Sequence, residues 1–180
     1  MKPTATIFAG VNGAGKTTLY FQAQEKKINM GYRINVDEIA QSIGDPKDRA
    51  NQLRASKIAI NMRNMYLEDK LSFNQETTLC GNSILNLFAE LKKLDFKIIL
   101  YYVGLDSPQT AKERVRIRVS KGGHDIAPNL IDKRYHESLK NLKSVIPMCD
   151  EVFIYDNTYD FKLVSTIKNQ EVKNYMKPSS

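Results

Sequence analysis

Short runs of apolar and β-branched residues alternate along this chain with longer stretches in which apolar residues recur every three or four positions. The first run, Thr4 to Ala9, reads as a buried strand. Lys16 to Ile28 follows as a helix that offers Leu19, Ala23 and Ile28 to a core. Tyr32 to Val36 reads as a second short strand, ending at Asp37. Lys47 to Glu68 is a long helical stretch in which Ile58, Met62 and Met65 recur at helical spacing. Phe73 to Leu79 reads as a strand running into Cys80-Gly81. Asn82 to Leu94 is an amphipathic helix with Ile84, Leu87, Phe88, Leu91 and Leu94 turned inward. Lys97 to Val103 is nearly all apolar, the look of a central parallel strand covered on both faces. Asp106-Ser107-Pro108 is a helix start, with a capping residue and proline in the first turn. That helix runs to about Lys121, where Gly122-Gly123 stops it. Pro128 opens another helix to about Val145, and Glu151 to Tyr155 is a further strand. From Phe161 to Met176 two weakly apolar pieces flank Asn169-Gln170 and read as a hairpin.

Strands alternating with helices predict an α/β domain with a parallel sheet. The 180 residues suit a single domain, and 42% apolar with 26% charged residues excludes a disordered or fibrous chain. No apolar run approaches the ~20 residues that span a bilayer. The apolar run after Lys2 is too short for a signal peptide's apolar region. Cys80 and Cys149 make no disulfide framework and no Cys/His cluster has zinc spacing, so a cytoplasmic protein is expected.

Gly10-Val11-Asn12-Gly13-Ala14-Gly15-Lys16-Thr17 fits G-x-x-x-x-G-K-[ST] at every fixed position, between a predicted strand and a predicted helix. Glycines let successive backbone N–H groups of such a loop point at phosphate oxygens, and the helix adds its positive dipole end. Asn12, Gly13, Ala14, Gly15, Lys16, Thr17 and Thr18 are therefore expected to hold ATP. Lys16 would reach the β- and γ-phosphates, and the Thr17 hydroxyl suits Mg²⁺.

A phosphate loop does not name the reaction. GTPases read guanine with an Asn-Lys-x-Asp tetrapeptide, which this chain lacks. Motor ATPases carry a strand ending in acidic residues; Asp106 invites that comparison, but beside Ser107-Pro108 it reads better as a helix cap. A kinase needs a carboxylate beside the phosphate loop to take a proton from the acceptor hydroxyl. Asp37, at the end of the second strand, is the candidate base, unless it only caps a helix starting at Glu38. Glu76 ends a neighbouring strand and, with Thr77, is placed to bind substrate hydroxyls, because parallel strands deliver their C-terminal ends to one edge.

The net charge is +7, and nine Lys/Arg against four Asp/Glu fall between Lys112 and Lys143. Arg114, Arg118 and Lys121 lie at i, i+4 and i+7, beside an apolar stripe of Ala111, Val115 and Val119. The segment turns through Gly122-Gly123-His124-Asp125, and Arg134 follows in the next helix. Two arginine-bearing helices joined by a Gly-containing loop resemble the lid of a nucleotide-type kinase. Such arginines offset charge on the transferred phosphoryl group. The segment holds only Tyr135 as an aromatic, which makes nucleic-acid stacking an unfavoured alternative. His124 reads as a lid contact rather than a base.

With these motifs the chain resembles the zeta toxin family of P-loop kinases, over roughly residues 3 to 157. The resemblance rests on Gly10 to Thr17, Asn35-Val36-Asp37-Glu38-Ile39, Glu76-Thr77-Thr78, Arg114 through Val119 with Gly122-Gly123-His124, and Arg134-Tyr135 with Ser138, Asn141 and Leu142. It is nearest to the compact, free-standing members. It implies an adenylate-kinase-like three-layer fold with a central parallel sheet and a helical lid at about 112–143. It implies ATP-dependent phosphorylation of UDP-N-acetylglucosamine, with Lys16 and Thr17 at the phosphates and metal, Asp37 as base, Glu76 at the sugar and Arg118 at the triphosphate. Arg134 fits as the second lid cation by chemistry, with Arg114 and the position of His124 as alternatives. The larger members carry extra segments around the sugar site that this chain lacks. The residues themselves reach only an ATP-dependent phosphotransferase of a small hydroxylated substrate: a sugar nucleotide, a nucleoside or an antibiotic. A nucleic-acid-linked ATPase is the other class. An antitoxin partner belongs to the family but has no signal in the sequence.

Overall fold

A computed structural model describes residues 1–175. Its seven strands form one sheet in the order β2-β3-β1-β4-β5-β6-β7. The strands are β1 (Thr4–Ala9), β2 (Tyr32–Ile34), β3 (Phe73–Thr77), β4 (Lys97–Gly104), β5 (Glu151–Asp156), β6 (Lys162–Lys168) and β7 (Glu171–Asn174). The helices are α1 (Lys16–Glu25), α2 (Val36–Ile43), α3 (Arg49–Glu68), α4 (Asn82–Lys93), α5 (Pro108–Ser120) and α6 (Pro128–Val145). β1 through β5 pair in parallel, while β6 and β7 pair antiparallel. The expected hairpin is present: Asn169 and Gln170 form its two-residue turn, both with positive φ. Met176, at its expected end, lies outside the described residues.

Alternation along β1 divides the core into two layers. Ala5, Ile7 and Ala9 face a cluster with Ala59, Tyr66 and Leu67 of α3 and Ile84, Leu87, Phe88 and Leu91 of α4. Phe8 faces the other way, among Leu19, Tyr20 and Ala23 of α1, Ala111 and Val115 of α5, and Ile131 of α6. On that side Phe8, Tyr101 and Phe153 stack in a row across three strands, with centroids 5.1 and 4.8 Å apart. The expected α/β sheet covered by helices on both faces is what the chain forms.

Several boundaries differ from expectation for identifiable reasons. β2 stops at Ile34, because the Asn35 side chain accepts from the backbone N–H of Asp37 at 2.9 Å and of Glu38 at 3.2 Å and so starts α2. Asp37 thus sits in the first turn of a helix, neither at a strand end nor as its cap. The buried stripe of α3 is Ala55, Ala59 and Tyr66, with Met62 partly buried, whereas Met65 is exposed. Two alanines carry close packing there, and they weigh little in a hydrophobic pattern. α1 ends at Glu25, which leaves Ile28 exposed. Ser107 rather than Asp106 caps α5, accepting from the Thr110 backbone N–H at 3.2 Å. Both cysteines are free thiols. Among the described residues no helix is long and apolar enough to cross a membrane.

Candidate active site

The register of the sheet brings three strand ends together. Ala9 lies beside Thr77, and Ile34 beside Gln75, so the phosphate-loop motif, the start of α2 and Glu76 to Thr78 share one edge. Between them lies a cleft of about 410 Å³ walled by Asn12, Gly13, Gly15, Lys16, Thr17, Asn35, Val36, Asp37, Glu76, Thr77, Thr78, Arg114 and Arg118. Nearly all the residues expected from the sequence to act are in this wall. Ala14 is buried beneath it, and Thr18 is exposed outside it.

The loop is held by packing from behind. Gly15 has φ +104°, and a β-carbon there would fall 2.7 Å from Asn157 Nδ2 and 2.9 Å from the Phe161 ring. Asn157 donates to the Ala14 carbonyl at 2.9 Å. The segment after β5 is therefore part of the loop's support, a role that sequence reasoning missed.

Lys16 folds back on its own loop, donating to the carbonyls of Gly10 at 2.9 Å and Val11 at 3.2 Å. Burial lowers its pKa to about 8; Glu76 and Asp37 pull it up, while Arg118 and Arg134 push it further down. The Thr17 hydroxyl donates to Glu76 Oε2 at 2.9 Å. The other Glu76 oxygen accepts from Arg33 Nη2 at 2.6 Å. The Asp37 side chain is exposed at the cleft mouth, and no hydrogen bond or ion pair engages its carboxylate among the described residues.

The basic helices reach the cleft as their spacing predicts. Arg114 and Arg118 line it from α5, while Lys121 is exposed beyond the helix end. Arg114 donates to the Thr158 carbonyl at 2.9 Å. Arg118 donates through Nη2 to the backbone carbonyl of His124 at 2.9 Å, and its Nε is buried without an acceptor. The His124 ring makes none of these contacts. Gly123 permits the arrangement, since a β-carbon there would lie 2.6 Å from Arg118 Cγ. Arg134 reaches the phosphate loop itself, donating to Asn12 Oδ1 at 2.9 Å.

Arg118 thus lines the cleft with one donor engaged by the His124 carbonyl and one without an acceptor. Should the cleft bind ATP and transfer its phosphate, Arg118→Ala is expected to lower kcat more than it raises the KM for ATP, because charge on a transferred phosphoryl group grows in the transition state. Steady-state kinetics with ATP varied checks this; a change in KM alone would remove the role.

The donors present suit magnesium. No group of three or more His, Cys, Asp or Glu side chains gathers as a metal cage among the described residues. A hydroxyl beside a carboxylate is the kind of sparse oxygen set used when nucleotide phosphates and water supply the remaining ligands.

No family model matches the chain. A Haemophilus influenzae protein of uncharacterized function is 31% identical over 135 residues, covering 75% of this chain and 94% of that protein. The chain belongs to the same family as that protein. Among solved structures, the AvrRxo1-ORF1:AvrRxo1-ORF2 complex with sulphate ions superposes with a TM-score of 0.74 at 14% identity, over 97% of this chain. The chain spans only 61% of the length of that neighbour. A chain of the PezAT chromosomal toxin-antitoxin system of Streptococcus pneumoniae gives 0.63 at 18% identity, covering 92% of this chain and 72% of its own. A gluconokinase from Sinorhizobium meliloti gives 0.50 at 13% identity, covering 86% and 82%. At these identities the likeness is one of fold. The fold is the one these solved structures share, a mostly parallel α/β sheet covered by helices.

Proposed function

We propose that this protein is an ATP-dependent kinase that transfers the γ-phosphate to a hydroxyl of a small molecule. The observation that carries the reading is the pairing, in one cleft, of a phosphate loop with a carboxylate that no side chain or backbone group among the described residues engages. Lys16, Thr17 and the loop N–H groups form the donor side, and Asp37 faces it from the first turn of α2. Phosphoryl transfer requires positioning, charge neutralisation and a base for the acceptor proton, and this cleft offers a residue for each. Mg²⁺, when bound, would neutralise phosphate charge, with Thr17 as its protein ligand. A structure of the AvrRxo1-ORF1:-ORF2 neighbour includes ATP, which supports the choice of nucleotide.

On the acceptor side the wall offers Asn35, Asp37, Glu76, Thr77 and Thr78, a set of amide, carboxylate and hydroxyl groups that suits a polyhydroxylated compound. UDP-N-acetylglucosamine is the acceptor proposed from the family resemblance, and an antitoxin is the partner proposed on the same basis. Two of the superposed neighbours come from a two-protein complex and a toxin-antitoxin system. The alternative of a nucleic-acid-linked ATPase wants its cations on an open face. Arg114 and Arg118 instead line the cleft beside the phosphate loop.

The test is ATP consumption measured against UDP-N-acetylglucosamine, nucleosides, aminoglycosides and single-stranded nucleic acid. Stimulation by a hydroxylated small molecule, with phosphate recovered on it, is the expected result. Acceptor-independent hydrolysis stimulated by nucleic acid would overturn the kinase reading.

A further inference from the structure

Arg33 belongs to none of the motifs, yet it is the most heavily engaged side chain at the site. It leaves β2 with only 14% of its side chain exposed and reaches Glu76 of the cleft wall. Its Nε donates to both Glu38 oxygens, at 2.9 and 3.0 Å, and its Nη2 donates to Glu38 Oε1 at 2.7 Å. Nη2 also donates to Glu76 Oε1 at 2.6 Å, and Nη1 to Asn74 Oδ1 at 3.3 Å. The guanidinium plane stacks on the Tyr20 ring, 3.4 Å from its centroid. One planar cation thus ties β2, the first turn of α2, β3 and α1 together.

The consequence falls on Thr17. With Glu76 Oε1 held by Arg33, Oε2 is left to accept the Thr17 hydroxyl proton at 2.9 Å. A hydroxyl has one proton and two lone pairs. Donating that proton to a fixed carboxylate orients the rotor and leaves the lone pairs for a cation. Without Arg33, Glu76, whose side chain is 11% exposed, would be a largely buried carboxylate lacking this counter-charge and free to turn away from Thr17. Lysine cannot substitute, because it lacks the planar fork that serves two carboxylates and an amide while stacking on an aromatic ring.

Resting on the kinase reading above, we propose that Arg33 is a positioning residue: it fixes Glu76 on the Thr17 hydroxyl and so sets how strongly magnesium and nucleotide reinforce one another at this site. Groups that orient metal ligands from behind typically change metal affinity about 10–100-fold when removed.

The readout is calorimetric binding of ADP by the full chain, once with saturating Mg²⁺ and once with EDTA, for wild type, Arg33→Lys, Arg33→Gln, Glu76→Gln and Arg33→Gln/Glu76→Gln. The ratio of the two dissociation constants reports the metal coupling without requiring turnover. That ratio is expected to fall about tenfold or more in Arg33→Gln and Arg33→Lys, while metal-free ADP binding changes little. Arg33→Gln also strands a carboxylate, so its melting temperature should drop. The double variant removes the stranded charge at Glu76 and should recover part of the melting temperature, Glu38 and Tyr20 still lacking their partner, but not the ratio. A wild-type ratio in either folded Arg33 variant, or recovery of the ratio along with the melting temperature in the double variant, would overturn the proposal. If wild type bound no ADP under either condition, the kinase reading itself would fall. ADP binding weakened by Lys16→Ala, alongside an unchanged ratio in Arg33→Gln, would sink the Arg33 proposal alone.

Discussion

Lys16→Ala should abolish measurable phosphotransfer and weaken ATP binding by roughly two to three orders of magnitude. Charge-assisted hydrogen bonds contribute about 1.5–3 kcal/mol each, and in the proposed role this ammonium makes them to two phosphate groups. Folding should survive. Among the described residues Lys16 bonds the carbonyls of Gly10 and Val11, and its charged form is disfavoured by burial. The same burial gives the residue a signature in pH. Its pKa is lowered to about 8 in the free protein, and bound phosphates raise it again. Below about pH 8 the lysine is already charged, so ATP affinity should be insensitive to its titration. Above that pH the protein must take up a proton on binding, and affinity should fall by up to about tenfold per pH unit until the bound-state pKa is reached. Calorimetry in buffers of different ionisation enthalpy reads that proton directly. Lys16→Ala should show neither the proton uptake nor that share of the pH dependence, and wild-type-like turnover by the variant would remove the phosphate-binding role.

What the sequence disclosed and what it hid divide by distance along the chain. The phosphate loop was legible because its motif lies within eight consecutive residues, although its support from Asn157 and Phe161 does not. The proline in the first turn of α5, the apolar stripe of α4 and the Arg114/Arg118 spacing were legible for the same reason, each being a local pattern. Asp37 and Glu76 required one further step, the rule that parallel strands deliver their ends to one edge, and the register of β1 with β3 agrees with it. Arg33 was not legible. An arginine in a short edge strand looks like a solvated residue until β2 pairs with β3 and brings it to Glu76, 43 positions away. Asn157 was hidden more deeply, since its contact with Ala14 spans 143 positions and depends on β5 completing the sheet. α2 was misplaced because Ile34-Asn35-Val36 reads as a β-branched run, while the Asn35 side chain, acting as a cap, ends the strand there. For Arg33 and Asn157 a tertiary partner decided, and for α2 a local side-chain cap did.

Asp37→Asn should bind ATP nearly normally and transfer phosphate at least ~100-fold more slowly. An acceptor hydroxyl is a poor nucleophile until its proton has somewhere to go, and general-base removal typically costs about 10²–10⁴ in rate. Asparagine keeps the size and can still hydrogen-bond the hydroxyl, but it cannot accept the proton. The structure sharpens this test by removing the capping alternative. Asn35, not Asp37, caps α2, accepting from the N–H groups of Asp37 and Glu38. The Asp37 carboxylate contributes to that helix only as a negative charge in its first turn, worth about 0.3–1 kcal/mol at an exposed position. The melting temperature of Asp37→Asn should therefore move little, and a large loss of rate cannot be assigned to a damaged helix. Single-turnover transfer with ATP prebound isolates the chemical step from binding. A rate within a few-fold of wild type would exclude Asp37 as the base. It would also leave Glu76 as the remaining carboxylate in the cleft wall, and one already committed to Thr17 and Arg33.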